Sequence, residues 1–102
     1  RGNDLAVNYI YFNSFARANL ENVNFKNASL WHAKFYQANL TNADLSGADL
    51  RNAFLGSADL SNANLSNAIL TGANLSGANL NSAILDGAIL SCKNHPVCVP
   101  ET

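Results

Sequence analysis

Charge is scarce in this chain: of its 102 residues only 13% are charged, and the formal net charge is −1. That balance offers no electrostatic footprint for nucleic acid or for an anionic membrane surface. Methionine is absent, and the two prolines, Pro96 and Pro100, stand together near the C-terminus, so no proline interrupts a backbone ladder before that point. No apolar run approaches the length of a membrane-spanning helix, so membrane insertion is not expected. The start shows no basic-then-apolar leader. It begins at Arg1 rather than Met, which leaves open whether upstream residues were removed. Only two histidines are present, one towards each end. A catalytic base and nucleophile need mutual geometry, and no paired-carboxylate cleft, phosphate loop or metal constellation is recognisable. The expectation is therefore no enzyme, with no catalytic, cofactor-binding or metal-binding residue and no cofactor.

What the sequence has in abundance is a period of five. Large apolar residues hold every multiple of five from Leu5 to Leu90, with Phe at 15, 25 and 35 and Leu at each step from Leu40 onward. Alanine stands two places before them at Ala18 and at each step from Ala28 to Ala88, and Val23 is the exception. An α-helix advances about 100° per residue, so five steps scatter these side chains around its surface. A strand reverses faces at every odd step, so a flat strand would point alternate leucines into water. Both regular elements fail. The remaining solution is a chain that turns one corner per repeat and coils upon itself, with Leu and Ala inward and the other three positions outward.

The outward positions fit that reading. Asn or Asp usually precedes Leu, as at Asn39, Asp44, Asp49, Asp59 and Asn64, and stacked Asn is expected to pair amide to amide along the axis. Asn or Gly is second after Leu in ten of the fifteen blocks between Ala18 and Cys92. These residues tolerate positive φ, so the spacing predicts a sharp, type II turn there.

The blocks ANLTN, ADLSG, ADLRN, ADLSN, ANLSN, ANLSG and ANLNS resemble the A(D/N)LXX signature of the pentapeptide-repeat family, from Ala18 to Cys92 and more weakly back to about Asn3. The resemblance implies an all-β fold, a right-handed quadrilateral β-helix with twenty residues per coil, here about four and a half coils. The residues test the four sides weakly. Tyr11 and Phe12 lie twenty before Trp31 and His32, yet Phe54, Ile69 and Ile84 are fifteen apart. The resemblance also implies a protein common in cyanobacteria and often exported to the periplasm or thylakoid lumen. One subset of the family mimics DNA against DNA gyrase.

Three segments are expected: a degenerate first coil or cap over 1–17, a regular solenoid over 18–92, and a C-terminal cap or tail over 93–102. Asn3, Asn8 and Asn13 replace inward Ala in the first segment. Open solenoid ends need caps. In the last segment Cys92 and Cys98 enclose five residues. The expected arrangement is a disulfide over the tube's end. Free thiols are the alternative, as is a metal site with His95, although structural zinc wants a fourth ligand.

Function is sought where the repeat breaks. On a twenty-residue coil Tyr11, Trp31 and Arg51 form one outward column and Phe12, His32 and Asn52 the next, with Ile69 and Ile89 on the same side and Tyr36 nearby. Exposed aromatic and Arg clusters mark binding surfaces. This candidate flank suits an unidentified protein partner, and Phe54, Ile69, Ile84 and Ile89 in place of Asn/Asp suit self-association. The expected function is a non-catalytic structural or protein-binding scaffold outside the cytoplasm. The alternative is a DNA-mimic modulator of gyrase, against which Asp44, Asp49 and Asp59 fall on three different sides.

Overall fold

The computed structural model describes residues 14–99. Parallel bridges join Ser14 to Lys34, Asn19 to Asn39, and so on at steps of twenty to Ile69 with Ile89; a last one joins Asn74 to Lys93. The chain is thus a right-handed quadrilateral β-helix, and the three-sided alternative is excluded because every bridge up to Ile69–Ile89 spans twenty residues. Each side is a single bridge residue between corners rather than an extended strand. Residues 1–13, which hold most of the expected N-terminal cap, lie outside the described residues.

The corners follow from φ. From Phe15 to Leu85, every position second after the in-phase Leu or Phe is left-handed, from Arg17 (φ 60°) and Asn22 (63°) to Gly87 (74°). Each corner closes with the Ala amide donating to the Leu carbonyl, 3.0 Å for Ala48 to Leu45. Positive φ at the third of four residues is the type II turn that the spacing predicts. At Gly47 even a methyl group would meet the side-chain oxygen of Asn27, one coil below. Glycine there therefore answers to the neighbouring coil as well as to φ.

A census of amides in one repeat explains the remaining sequence preference. In the Leu45 repeat, Leu45 N–H donates to Asn64 (2.7 Å), Gly47 to Ser66 (2.8 Å), and Asp44 to Val23 of the preceding coil (2.9 Å). With the Ala48 turn bond, four of the five donors have backbone partners. The fifth, on Ser46, is accepted by Asp44 Oδ1 at 3.0 Å, and the Ser46 hydroxyl donates to the same oxygen at 2.6 Å. Asp59–Ser61 and Asn64–Ser66 repeat the arrangement. Asn or Asp before Leu is thus chiefly a turn acceptor. The expected amide ladder is confined, among the described residues, to Asn39–Asn19 (3.5 Å) and Asn94–Asn74 (3.1 Å). The nearby turn amide competes for the same oxygen and wins because it costs no side-chain reach.

The interior is dry. Leu30 to Leu75 and their alanines are essentially inaccessible, and no polar side chain is buried among the described residues. Phe15, Phe25 and Phe35 fill the first coils, with the Phe15 and Phe35 rings stacked at 5.1 Å. Burial of each Leu contributes about 1.5–3 kcal/mol, so a tube one side chain wide needs no second layer. In the last coil Leu80, Leu85 and Leu90 are only partly buried, and Val97 and the two cysteines pack on them.

Candidate functional site

The four sides are not equivalent. Side one carries Ser14, Lys34, Phe54, Asn74 and Lys93; side two, Asn19, Asn39, Asp59 and Asn79. Side three carries Asn24, Asp44, Asn64 and Ile84, and side four Ser29, Asp49, Ile69 and Ile89. Among those that stand directly before an in-phase Leu or Phe, five have no side-chain oxygen to accept the turn amide: Lys34, Phe54, Ile69, Ile84 and Ile89. At each, the repeat forgoes a hydrogen bond that its neighbours make.

The expected flank is divided by this register. Tyr11 and Phe12 lie outside the described residues. Trp31, His32 and Arg51 meet at the corner between sides four and one, where the Trp31 and His32 rings are 4.6 Å apart at 65°. Arg51 is committed to Asp49 by a bidentate pair, Nε to Oδ1 at 2.9 Å and Nη2 to Oδ2 at 2.7 Å. That hydrogen bonding holds the Asp49 carboxyl below the usual carboxylate range and raises the Arg51 guanidinium further. Ile69 and Ile89 stack on side four, but the Asp49–Arg51 pair lies between them and Trp31 in the register of coils. Ile89 is exposed and Ile69 only partly so.

Tyr36 belongs to the opposite corner of side one. Its ring lies over Gly56, 3.3 Å from where a Cβ would stand, and meets Phe54 at 5.8 Å between centroids. Gly56 has no positive φ; its lack of a side chain makes room for the ring. Ala16, Tyr36, Gly56 and Ser76 form the column above this corner, so a large ring stands among small residues. Beside it Arg17 Nε donates to Gln37 Oε1 at 2.9 Å. A concavity runs past Arg17, Tyr36, Gln37, Ser57 and Asn74. A second lies over Phe54, Asn74 and Lys93. Both flank side one.

At the C-terminal end, Cys92 and Cys98 form a disulfide with Cα atoms 5.0 Å apart. The alternatives of free thiols and of a metal site with His95 are excluded, since neither sulfur is left as a thiolate ligand. The imidazole of His95 is occupied as well. Its Nδ1 accepts from Val97 N–H at 3.1 Å, which leaves Nε2 to donate to Ala78 O at 3.1 Å. In the coils below, an Ala carbonyl receives a backbone amide from the next coil, as Ala58 does from Asn79. His95 takes that place at the end of the stack. No helix among the described residues is long and apolar enough to cross a membrane.

The family model described as pentapeptide repeats matches residues 14–56 and 57–91, in eight copies. No curated protein matches the chain. Among solved structures, the chain is similar to HetL, a pentapeptide repeat protein involved in heterocyst differentiation regulation in the cyanobacterium Nostoc sp. strain PCC 7120. The identity is 35%, the TM-score 0.82, and the match covers 94% of this chain but 42% of HetL. It is also similar to a pentapeptide repeat protein of the Arabidopsis thaliana thylakoid lumen, at 35% identity and TM-score 0.72, over 94% of this chain and 71% of that one. A further Nostoc pentapeptide repeat protein is 44% identical with TM-score 0.54, over 80% of this chain and 68% of that one. The chain thus spans less than half the length of HetL.

Proposed function

The chain belongs to the pentapeptide-repeat family, and on that premise we propose that it is a non-catalytic scaffold that binds another protein through its outer sides, in the periplasm or thylakoid lumen. The observation that carries this reading is the replacement of turn-holding Asn/Asp by Phe54, Ile69, Ile84 and Ile89. A net hydrogen bond is worth about 0.5–1.5 kcal/mol. Local folding therefore favours Asn at these positions, and an exposed aliphatic side chain such as Ile84 or Ile89 gains nothing in water to offset it. Ile84 and Ile89 remain 47% and 50% exposed. Contact with a partner supplies the missing benefit.

Compartment rests on separate support. A disulfide is stable in oxidising surroundings and rare in the cytosol, and the Arabidopsis relative is a lumen protein. The gyrase reading has less to rest on, because Asp59, Asp44 and Asp49 lie on sides two, three and four. Among the described residues, no side presents a line of carboxylates that imitates a phosphate backbone.

The test is a pull-down from the native compartment with Phe54→Asn/Ile89→Asn and, for the flank expected from the sequence, Trp31→Ala. The double Asn variant is expected to keep or raise the melting temperature while losing the partner. Full partner recovery by a well-folded double variant would sink the reading.

A further inference from the structure

The near-neutral net charge conceals a segregation by side. Side one and its far corner hold Lys34, Lys93 and Arg17, all exposed, and no carboxylate among the described residues. Side two and its following corner hold Asp59 and Glu21 and no base among the described residues. Side three mixes Lys26 with Asp44 and Asp86, while side four and its corner hold the Asp49–Arg51 pair, which cancels. Among the described residues, neither Lys34 nor Lys93 has an ion-pair partner. Side one also carries the Tyr36–Phe54 aromatic contact and the two concavities beside it.

We propose that side one is the docking surface, and that its occupant is an extended acidic protein segment with an apolar residue between two carboxylates. This deepens the scaffold reading and rests on it. The pattern follows from the spacing. Lys34 and Lys93 are three coils apart in the ladder, roughly 14 Å at the usual strand separation. In an extended chain, residues i, i+2 and i+4 point to one face, and the outer two are about 13 Å apart. A segment of the form acidic–x–apolar–x–acidic, running parallel to the solenoid axis, sets its carboxylates opposite Lys34 and Lys93 and its central side chain on Phe54. Tyr36 borders that central side chain. The remaining guanidinium donors of Arg17, beyond the Nε bond to Gln37, stand at the N-terminal side of the concavity for a further acidic group. Positive charge without a counter-ion speeds encounter with such a segment and rejects basic ones.

A fluorescent peptide, acetyl-Glu-Ser-Phe-Ser-Glu-amide, titrated into the full chain at low salt, provides the test. Binding should weaken about tenfold or more with Lys34→Glu and with Lys93→Glu, less with Lys34→Gln, and by no more than about twofold with Lys26→Glu, which changes the charge equally on side three. The analogue with Lys in place of both Glu should not bind. Absence of peptide binding overturns the proposal, as does equal loss with Lys26→Glu, which would make the attraction general. Tighter binding of a thymidine oligonucleotide than of the peptide also overturns it, in favour of single-stranded nucleic acid. If the peptide fails while Phe54→Asn/Ile89→Asn still loses the native partner, the scaffold reading stands and only this assignment falls.

Discussion

Leu60 and Leu85 occupy the same place in the same repeat, yet one is 0% exposed and the other only partly buried. Sequence neighbours do not make the difference, since Ala58 and Ala83 precede both and the turn bonds match: Ala63 to Leu60 at 3.0 Å, Ala88 to Leu85 also at 3.0 Å. What differs is a coil above. Mid-stack residues are sandwiched; those near the end have a loop, Val97 and a disulfide in place of a coil. Stability in this protein is therefore a property of contacts between successive coils rather than of any coil by itself.

That contrast is exposed most sharply by truncation of the two leucines. Leu60→Ala should lower unfolding free energy by roughly 2–5 kcal/mol, since the rigid layers above and below leave a cavity that cannot close. Leu85→Ala should cost only about 1 kcal/mol, because part of its surface is already in water. Equal losses in denaturant titration would refute the nearest-neighbour picture. Next in size is the clamp at the end. Opening Cys92–Cys98 with reductant, or replacing both by Ser, should remove about 2 kcal/mol by the chain-entropy account of a short loop. Amide exchange should accelerate in the last coil first and leave Leu45 to Leu60 protected. A uniform acceleration would mean that the whole stack opens as one unit. The smallest effect concerns Asp49, whose pKa is depressed by its hydrogen bonds to Arg51. A carboxylate more acidic in the folded chain adds stability that is present at neutral pH and fades as pH falls through the carboxylate range. Arg51→Gln should flatten that acid limb slightly, and an unchanged pH profile of melting temperature would show the pair to be energetically idle.

Much of this was legible without coordinates, for a physical reason. The interior follows a five-residue rule set by local geometry, so Leu, Ala and the left-handed corner at Asn42 or Gly47 announce themselves within a short window. Asn39 and Asp44 were harder to assign. Asn in register suggests an amide ladder, whereas the turn amide two residues on is the nearer partner, and the recurrent Ser or Thr after Leu was the clue. The outer sides were harder still. Lys34 and Lys93, or Tyr36 and Phe54, are far apart in a linear reading; only when the chain is folded in twenties do the two lysines share one side and the two rings meet. Net charge then misleads, since it sums over four directions at once. Arg51 shows the converse: it is in its expected column, but Asp49, two residues back, takes its hydrogen-bonding edge.

The backbone bonds of each coil close upon the coils beside it without help from the outermost atoms of most side chains. The surface therefore behaves as a grid with fixed addresses: add twenty to move one row, add five to pass to the next wall. Away from the left-handed corners, an outward substitution at one address leaves the lattice beneath it intact. Such a protein can exchange one recognition pattern for another without renegotiating how it folds.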